Sequence, residues 1–564
     1  MASRPNCRSF MHRLLRICLS VSIHFLVLSR VIAQTDSVIV TGRIRNLSAR
    51  LYRESPTVLV SRNNILQASR ELVRPAPLNL DGTFRVALPL IYPQEEMYFN
   101  YGRISTAFLA APGSLEIELD ADSLFTTAVP FKFSGVNAQV NQQYARYKAF
   151  EAAYPNKPDA AKLSRESQGL SLNGTFDLFS GTYNGLLQAF SGREKLFPLL
   201  SQWIRSANRY NAASFVYEKA TVEGDQINKE LNDSLRLAND RLLTAARASA
   251  MNRFANYAIQ QSSTPEINQR NNSLSIKTLS SLLIRYGRNL SEAERTRLQG
   301  YMDNNQAKAS DIRFFSDLVR RSNDTIQRLV AFETLLQRSR AKFDDATTNY
   351  LAAYQLANAL PSLTLDFARL LYDYARPQVK DSYLAQSLDE LYQLETKDSI
   401  RIQAAVQTLN KAGRNASVLE ISPGVFVTRD ALAEGRALFD RIINANRGKV
   451  IYVLMTSPDS EGERQAALDA QRLRNTFGSR NFALVYLPNI ANDAQRWAEF
   501  CVKNRLEGDH LITTLAQLGG IVDYLRPNGE ISATIINRVG KIAKRNAPLP
   551  DALEEIKKVV DKNL

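Results

Sequence analysis

Few groups in this chain are suited to chemistry, and they gather toward its C-terminus. Ser460 and Glu463, a hydroxyl and a carboxylate three residues apart, stand where an apolar run (residues 450–455) breaks at Thr456-Ser457-Pro458-Asp459. A polar, helix-patterned run follows, beginning at Arg464. A strand that hands over to a helix exposes a loop and a set of backbone N–H groups, so Asp459, Ser460, Glu463 and Arg464 form a candidate binding rim. Asp459 or Ser460 is also well placed to cap the helix. Serine hydrolysis is excluded here, because beyond residue 33 the only histidine is His510 and there is no nucleophile elbow.

The other reactive group is Cys501, in a helix-patterned run (493–506) behind Trp497 and Phe500. A free cysteine in such a place is expected to be a small buried apolar residue. Mid-helix is also the wrong position for a thiol that must be activated by a helix start and a nearby cation. His510 could reach Cys501 only through tertiary folding. One histidine and one cysteine cannot build a structural zinc site, and no calcium loop is present, so no metal or cofactor is expected. Gly519-Gly520 reads as a backbone feature that lets another chain approach closely, and these two glycines are expected to complete the binding rim.

The elements that must position these residues are legible as a pattern. A first strand (450–455), the helix, a second strand (482–487), another helix and a strand at 519–525 leading to an Arg526-Pro527-Asn528-Gly529 turn give the order of a thioredoxin-like α/β domain. Gly448-Lys449-Val450 and the strand after it resemble the start of that domain in the TlpA/ResA family of envelope disulfide reductases. In that family the strand ends in Trp-Cys-x-x-Cys-Arg. Laid on without gaps, the resemblance puts Ser460 and Glu463 at the cysteine positions and Arg464 at the basic residue. It also places the family's proline, about nine residues before a turn glycine, at Gly520. The resemblance implies a thiol–disulfide oxidoreductase, but disulfide exchange needs a thiolate and a resolving thiol. A hydroxyl and a carboxylate supply neither, so catalytic residues are expected to be none.

At 564 residues the chain is too long for one core. Arg4, Arg8, Arg13 and Arg16 precede a short apolar run (17–28) and Val31-Ile32-Ala33, the layout of a secretory signal cleaved after Ala33. Cys7 and Cys18 would leave with it, so no disulfide framework is expected, and no later run is long enough to span a bilayer. The formal charge of +15 falls to about +10 once the five arginines of residues 1–33 are removed. The remaining basic residues are dispersed, which argues against a nucleic-acid partner. An exported protein of the periplasm or outer membrane, working on an envelope protein or peptide, is the expectation.

Residues 34–136 read as an antiparallel β-sandwich: short alternating strands separated by Asp81-Gly82 and Ala111-Pro112-Gly113 turns. Their order, followed by Phe133-Ser134-Gly135, Asn137 and Asn141, is similar to that in Bacteroidetes proteins joining a small β domain to a TlpA-like one. Residues 137–415 read as a helical bundle; Leu231, Leu235, Ala238, Leu242, Ala246, Ala250, Phe254 and Tyr257 mark one long helix with a buried stripe. Residues 416–564 complete the thioredoxin-like domain, which makes the whole a multidomain α+β chain.

Overall fold

Alternation in the first strands dictates where they fold. Val38, Val40 and Ile44 of β1 (Ser37–Arg45) point inward while their neighbours face out, and Leu115, Ile117 and Leu119 of β7 (Gly113–Asp120) do the same. In the computed structural model, which describes residues 37–563 except 103, 125, 236–240, 264–273, 288, 305–310, 322–323, 414–417, 479–480 and 490–492, these strands form one face of a sandwich. The signal-like segment lies outside the described residues.

One sheet runs β4 (Thr83–Pro89), β1, β7, β8 (Phe131–Gly135); the other runs β3 (Gln67–Pro77), β2 (Thr57–Asn64), β5 (Gln94–Tyr101), β6 (Ile104–Ala110). A single core joins them, with Val40 and Ile117 from the first sheet and Val60, Met97 and Phe99 from the second. The sandwich is not wholly antiparallel: β1 and β7 pair in parallel, Val38 opposite Gly113 through Arg45 opposite Asp120. Gly42 makes that pairing possible, since a Cβ there would fall 2.0 Å from the Ile117 carbonyl oxygen.

The helical region departs from the sequence reading at one place. Residues 231–257 are not one helix. A short helix (Lys229–Leu235) is followed by β9 (Leu242–Leu243), which pairs in parallel with β5, and then by a second helix (Ala245–Ser263). Thr244 starts that helix, its hydroxyl accepting from the Arg247 amide at 3.0 Å. Leu235, Leu242 and Ala250 are all buried, so burial on one side preserved the three-and-four spacing across the break. Pro361 and Pro377, which in the sequence limit any helix between them to a few turns, flank the short helix Leu365–Ala375.

The chain divides into two compact units: residues 1–362 with 369–389, and residues 363–368 with 390–564. The second is built on a seven-stranded sheet ordered β10 (Leu419–Ser422), β11 (Val425–Thr428), β14 (Gly508–Leu511), β13 (Phe482–Pro488), β12 (Val450–Thr456), β15 (Ser532–Ile536), β16 (Ile542–Lys544). The four strands from β11 to β12 are parallel, while β15 and β16 form an antiparallel hairpin at one edge. All seven residues of β12 are buried. Its apolar run is continuous because each face carries a layer of helices, the usual setting of parallel strands. Tyr452 and Leu454 meet the helices Glu461–Phe477, Ala494–Asn504 and Leu553–Asn563 on one face. Ile451, Val453 and Met455 meet Gly435–Ala445 and Leu515–Leu525 on the other.

Candidate functional site

β12 ends at Thr456, and four residues later Ser460 opens the helix Glu461–Phe477 at the carboxyl end of the parallel strands, the edge where sheets of this kind bind ligands. Ser460 and Glu463 are held by each other. The Glu463 amide donates to Ser460 Oγ at 3.2 Å, while the Ser460 amide and hydroxyl donate to Glu463 Oε2 at 3.2 and 2.8 Å. This is a complete capping box, satisfying two of the helix's otherwise unpaired N–H groups. Thr456 Oγ1 adds a bond to the Glu463 carbonyl at 2.7 Å, and only 6% of Glu463 is exposed. A carboxylate so enclosed is committed to the helix start.

The rest of the rim is also engaged locally. Arg464 Nη1 donates to the Pro458 carbonyl at 3.0 Å, and its guanidinium pairs with Glu461. Asp459 pairs with Arg496 at the start of the next helix, 2.5 Å apart. Both side chains are about half exposed, so the bridge contributes little to stability, on the order of 0.5 kcal/mol. Asp459, Ser460, Glu463 and Arg464 therefore lie together at this helix start, each held by a local partner.

Gly519 and Gly520 do not belong to it. They lie inside the helix Leu515–Leu525 rather than on a strand, and a Cβ on either would meet nothing within 4 Å. That helix packs through Leu518, Ile521 and Leu525 on the face of the sheet opposite the Glu461–Phe477 helix. A second capping box starts it: Gln517 Oε1 accepts from the Thr514 amide, and Thr514 Oγ1 from the Gln517 amide. The Thr514-x-x-Gln517 spacing was the signal to read; two adjacent glycines pointed the other way.

The turn that closes the edge hairpin is Asn537–Lys541, with Gly540 at φ +85° and Asn537 Oδ1 accepting from the Val539 and Lys541 amides. Counting nine residues back from Gly540 reaches Ile531, just before β15. Ile531 Cδ1 lies 3.7 Å from where a Cβ on Gly462 would sit, so this residue abuts the Ser460 helix start. Among the described residues no peptide bond is cis.

Cys501 and His510 are brought together, both fully buried. His510 Nε2 faces the Leu506 carbonyl at 2.8 Å; a carbonyl only accepts, so this nitrogen carries the proton. Nδ1 then accepts from Trp497 Nε1 at 3.1 Å, and Cys501 Sγ lies 3.4 Å from the same nitrogen. The Tyr486 ring stacks on the imidazole at 4.8 Å. Burial lowers the His510 pKa to about 4 and pushes the Cys501 thiol well above its ordinary range. A thiol needs the opposite shift to become a nucleophile, and the indole already occupies the lone pair that would receive its proton. The pair is a satisfied piece of core. Among the described residues no group of three or more histidine, cysteine or acidic side chains could hold a metal, and no helix is long and apolar enough to cross a membrane.

No protein-family model matches the chain, and no curated protein matches it. A solved structure does: the solution structure of a candidate thiol–disulfide oxidoreductase from Bacteroides vulgatus, 18% identical, covering 21% of this chain and 77% of its own, with a TM-score of 0.19. That likeness is confined to about a fifth of the chain and says nothing about activity.

Proposed function

We propose that this chain is an exported cell-envelope protein whose second unit is a redox-inactive, thioredoxin-like module that binds a protein or peptide. The observation that carries the reading is the Ser460–Glu463 capping box at the end of the central strand: the place for a dithiol holds a closed pair of hydrogen bonds. Support for the scaffold comes from strand order, with parallel β12 and β13, an antiparallel β15–β16 hairpin beside β12, and a closing helix at Leu553–Asn563. The binding rim in this reading is Asp459, Arg464 and Ile531, with Gly519 and Gly520 removed from it.

The alternative, a thiol–disulfide oxidoreductase working through Cys501, rests on the 3.4 Å approach of that thiol to His510. Insulin reduction with dithiothreitol, run beside titration of the native protein with a chromogenic disulfide, separates the two. No acceleration, and a Cys501 thiol that reacts only after guanidinium is added, is the expected result. Turnover that disappears in Cys501→Ser would overturn the proposal. The variant Ser460→Cys with Glu463→Cys is expected to gain insulin reduction if the scaffold is thioredoxin-like; a folded double variant without activity counts against that part.

A further inference from the structure

The first unit contains a cavity of about 620 Å³ that none of the above uses, within the ~300–1,000 Å³ range of small-molecule sites. Its walls come from the sandwich side (Ile65, Tyr92) and from six helices. We propose that it binds a neutral saccharide of one or two rings.

Aromatic faces dominate the lining: Tyr92, Tyr217, Tyr257, Tyr350 and Tyr383, with Phe254 and Phe343. Tyr92 and Tyr383 stack at 4.7 Å and 18°, forming a rigid double platform. Flat aromatic faces suit the C–H faces of a pyranose, and phenol hydroxyls both donate and accept, as sugar hydroxyls require. Burial holds the Tyr92 and Tyr217 phenols far above their ordinary pKa, so they stay protonated.

Charge argues against an ionic ligand. The lining has two cations, Arg247 and Lys342, and two carboxylates, Asp344 and Asp381, a formal sum of zero (2 − 2). All four already have protein partners. Arg247 Nη1 donates to the Leu242 carbonyl at 2.9 Å with its guanidinium 5.2 Å from the Tyr92 ring centre, and Lys342 Nζ donates to the Gln261 carbonyl. Asp344 caps the helix Asp345–Ala359, and Asp381 Oδ1 accepts from the Tyr383 and Leu384 amides. Balanced, tethered charges give no net attraction to an ion but present oriented dipoles to hydroxyl groups.

Calorimetric titration of the purified protein with glucose, cellobiose and N,N′-diacetylchitobiose, and with glucuronate and inorganic phosphate as charged probes, tests this. Saturable binding of at least one neutral sugar at millimolar concentration or below, with none of the charged probes bound more tightly, is expected. Ala346 lines the cavity from an exposed helical position, so Ala346→Trp should obstruct it with an unchanged unfolding midpoint and weaken binding by about tenfold or more. Tyr383→Ala, which removes half of the stacked platform, should weaken it about three- to tenfold. Absence of binding by all three sugars, preference for a charged probe, or affinity untouched in both folded variants would overturn the proposal.

Discussion

At the residue scale, Ser460 and His510 each decide something measurable. Ser460→Ala removes the cap and leaves the Glu463 carboxylate without its hydroxyl donor. A loss of about 1 kcal/mol in urea unfolding is expected, typical of N-cap deletions. The Glu463→Ala change should be strongly non-additive with it, because the two share one reciprocal pair of bonds. His510 governs the acid limb of stability. Its folded pKa of about 4 lies below the usual 6.5, so between those values the unfolded chain binds the extra proton and stability rises with pH. The contribution is complete above about pH 6.5 and lost as the pH falls toward 4, about 3 kcal/mol in all. Denaturant midpoints of the second unit across that window should flatten in His510→Phe; an unchanged slope would mean that another group titrates there.

At the element scale, the helix Leu515–Leu525 is the sharpest test. Gly519 and Gly520 sit exposed in its interior with open space where a side chain would go. Gly→Ala at either position should therefore stabilise by about 1 kcal/mol, since alanine loses less backbone freedom. A strand edge reserved for close approach would respond with the opposite sign. Gly42 in β1 gives the contrasting case. A methyl there would strike the Ile117 carbonyl of β7, and Gly42→Ala should cost about 3 kcal/mol. The difference between these glycines was not legible from residue type. Gly42 is fixed by a partner strand far along the chain, whereas Gly519 and Gly520 are carried by a capping box at Thr514 and Gln517 and by apolar residues spaced for a helix.

At the scale of the whole molecule, two compact units with separate cores predict more than one calorimetric transition. Gly42→Ala should lower one midpoint and Ser460→Ala the other; a single transition shifted by both would show the units to be one cooperative structure. Redox behaviour is likewise a property of the whole chain. Beyond residue 33 there is a single cysteine, and it is enclosed by Trp497, Tyr486 and His510. Thiol titration of the chain lacking residues 1–33 should find one group, silent until denaturant exposes it.

Local pattern alone determined the alternating sandwich strands, the twice-buried run of β12, the helix start at Ser460, the proline-bounded helix at Leu365–Ala375 and the lack of a dithiol. Each depends on residues within a few positions of one another. Tertiary structure decided the parallel β1–β7 pairing, the strand β9 inside an apparently continuous helical stripe, the placement of Ile531 against Gly462 and the meeting of Cys501 with His510. These are contacts between residues distant in sequence or separated by a chain reversal. Hydrophobic periodicity records which side of an element is buried but not what buries it, so it cannot distinguish a helix from a helix broken by a strand with the same inward face.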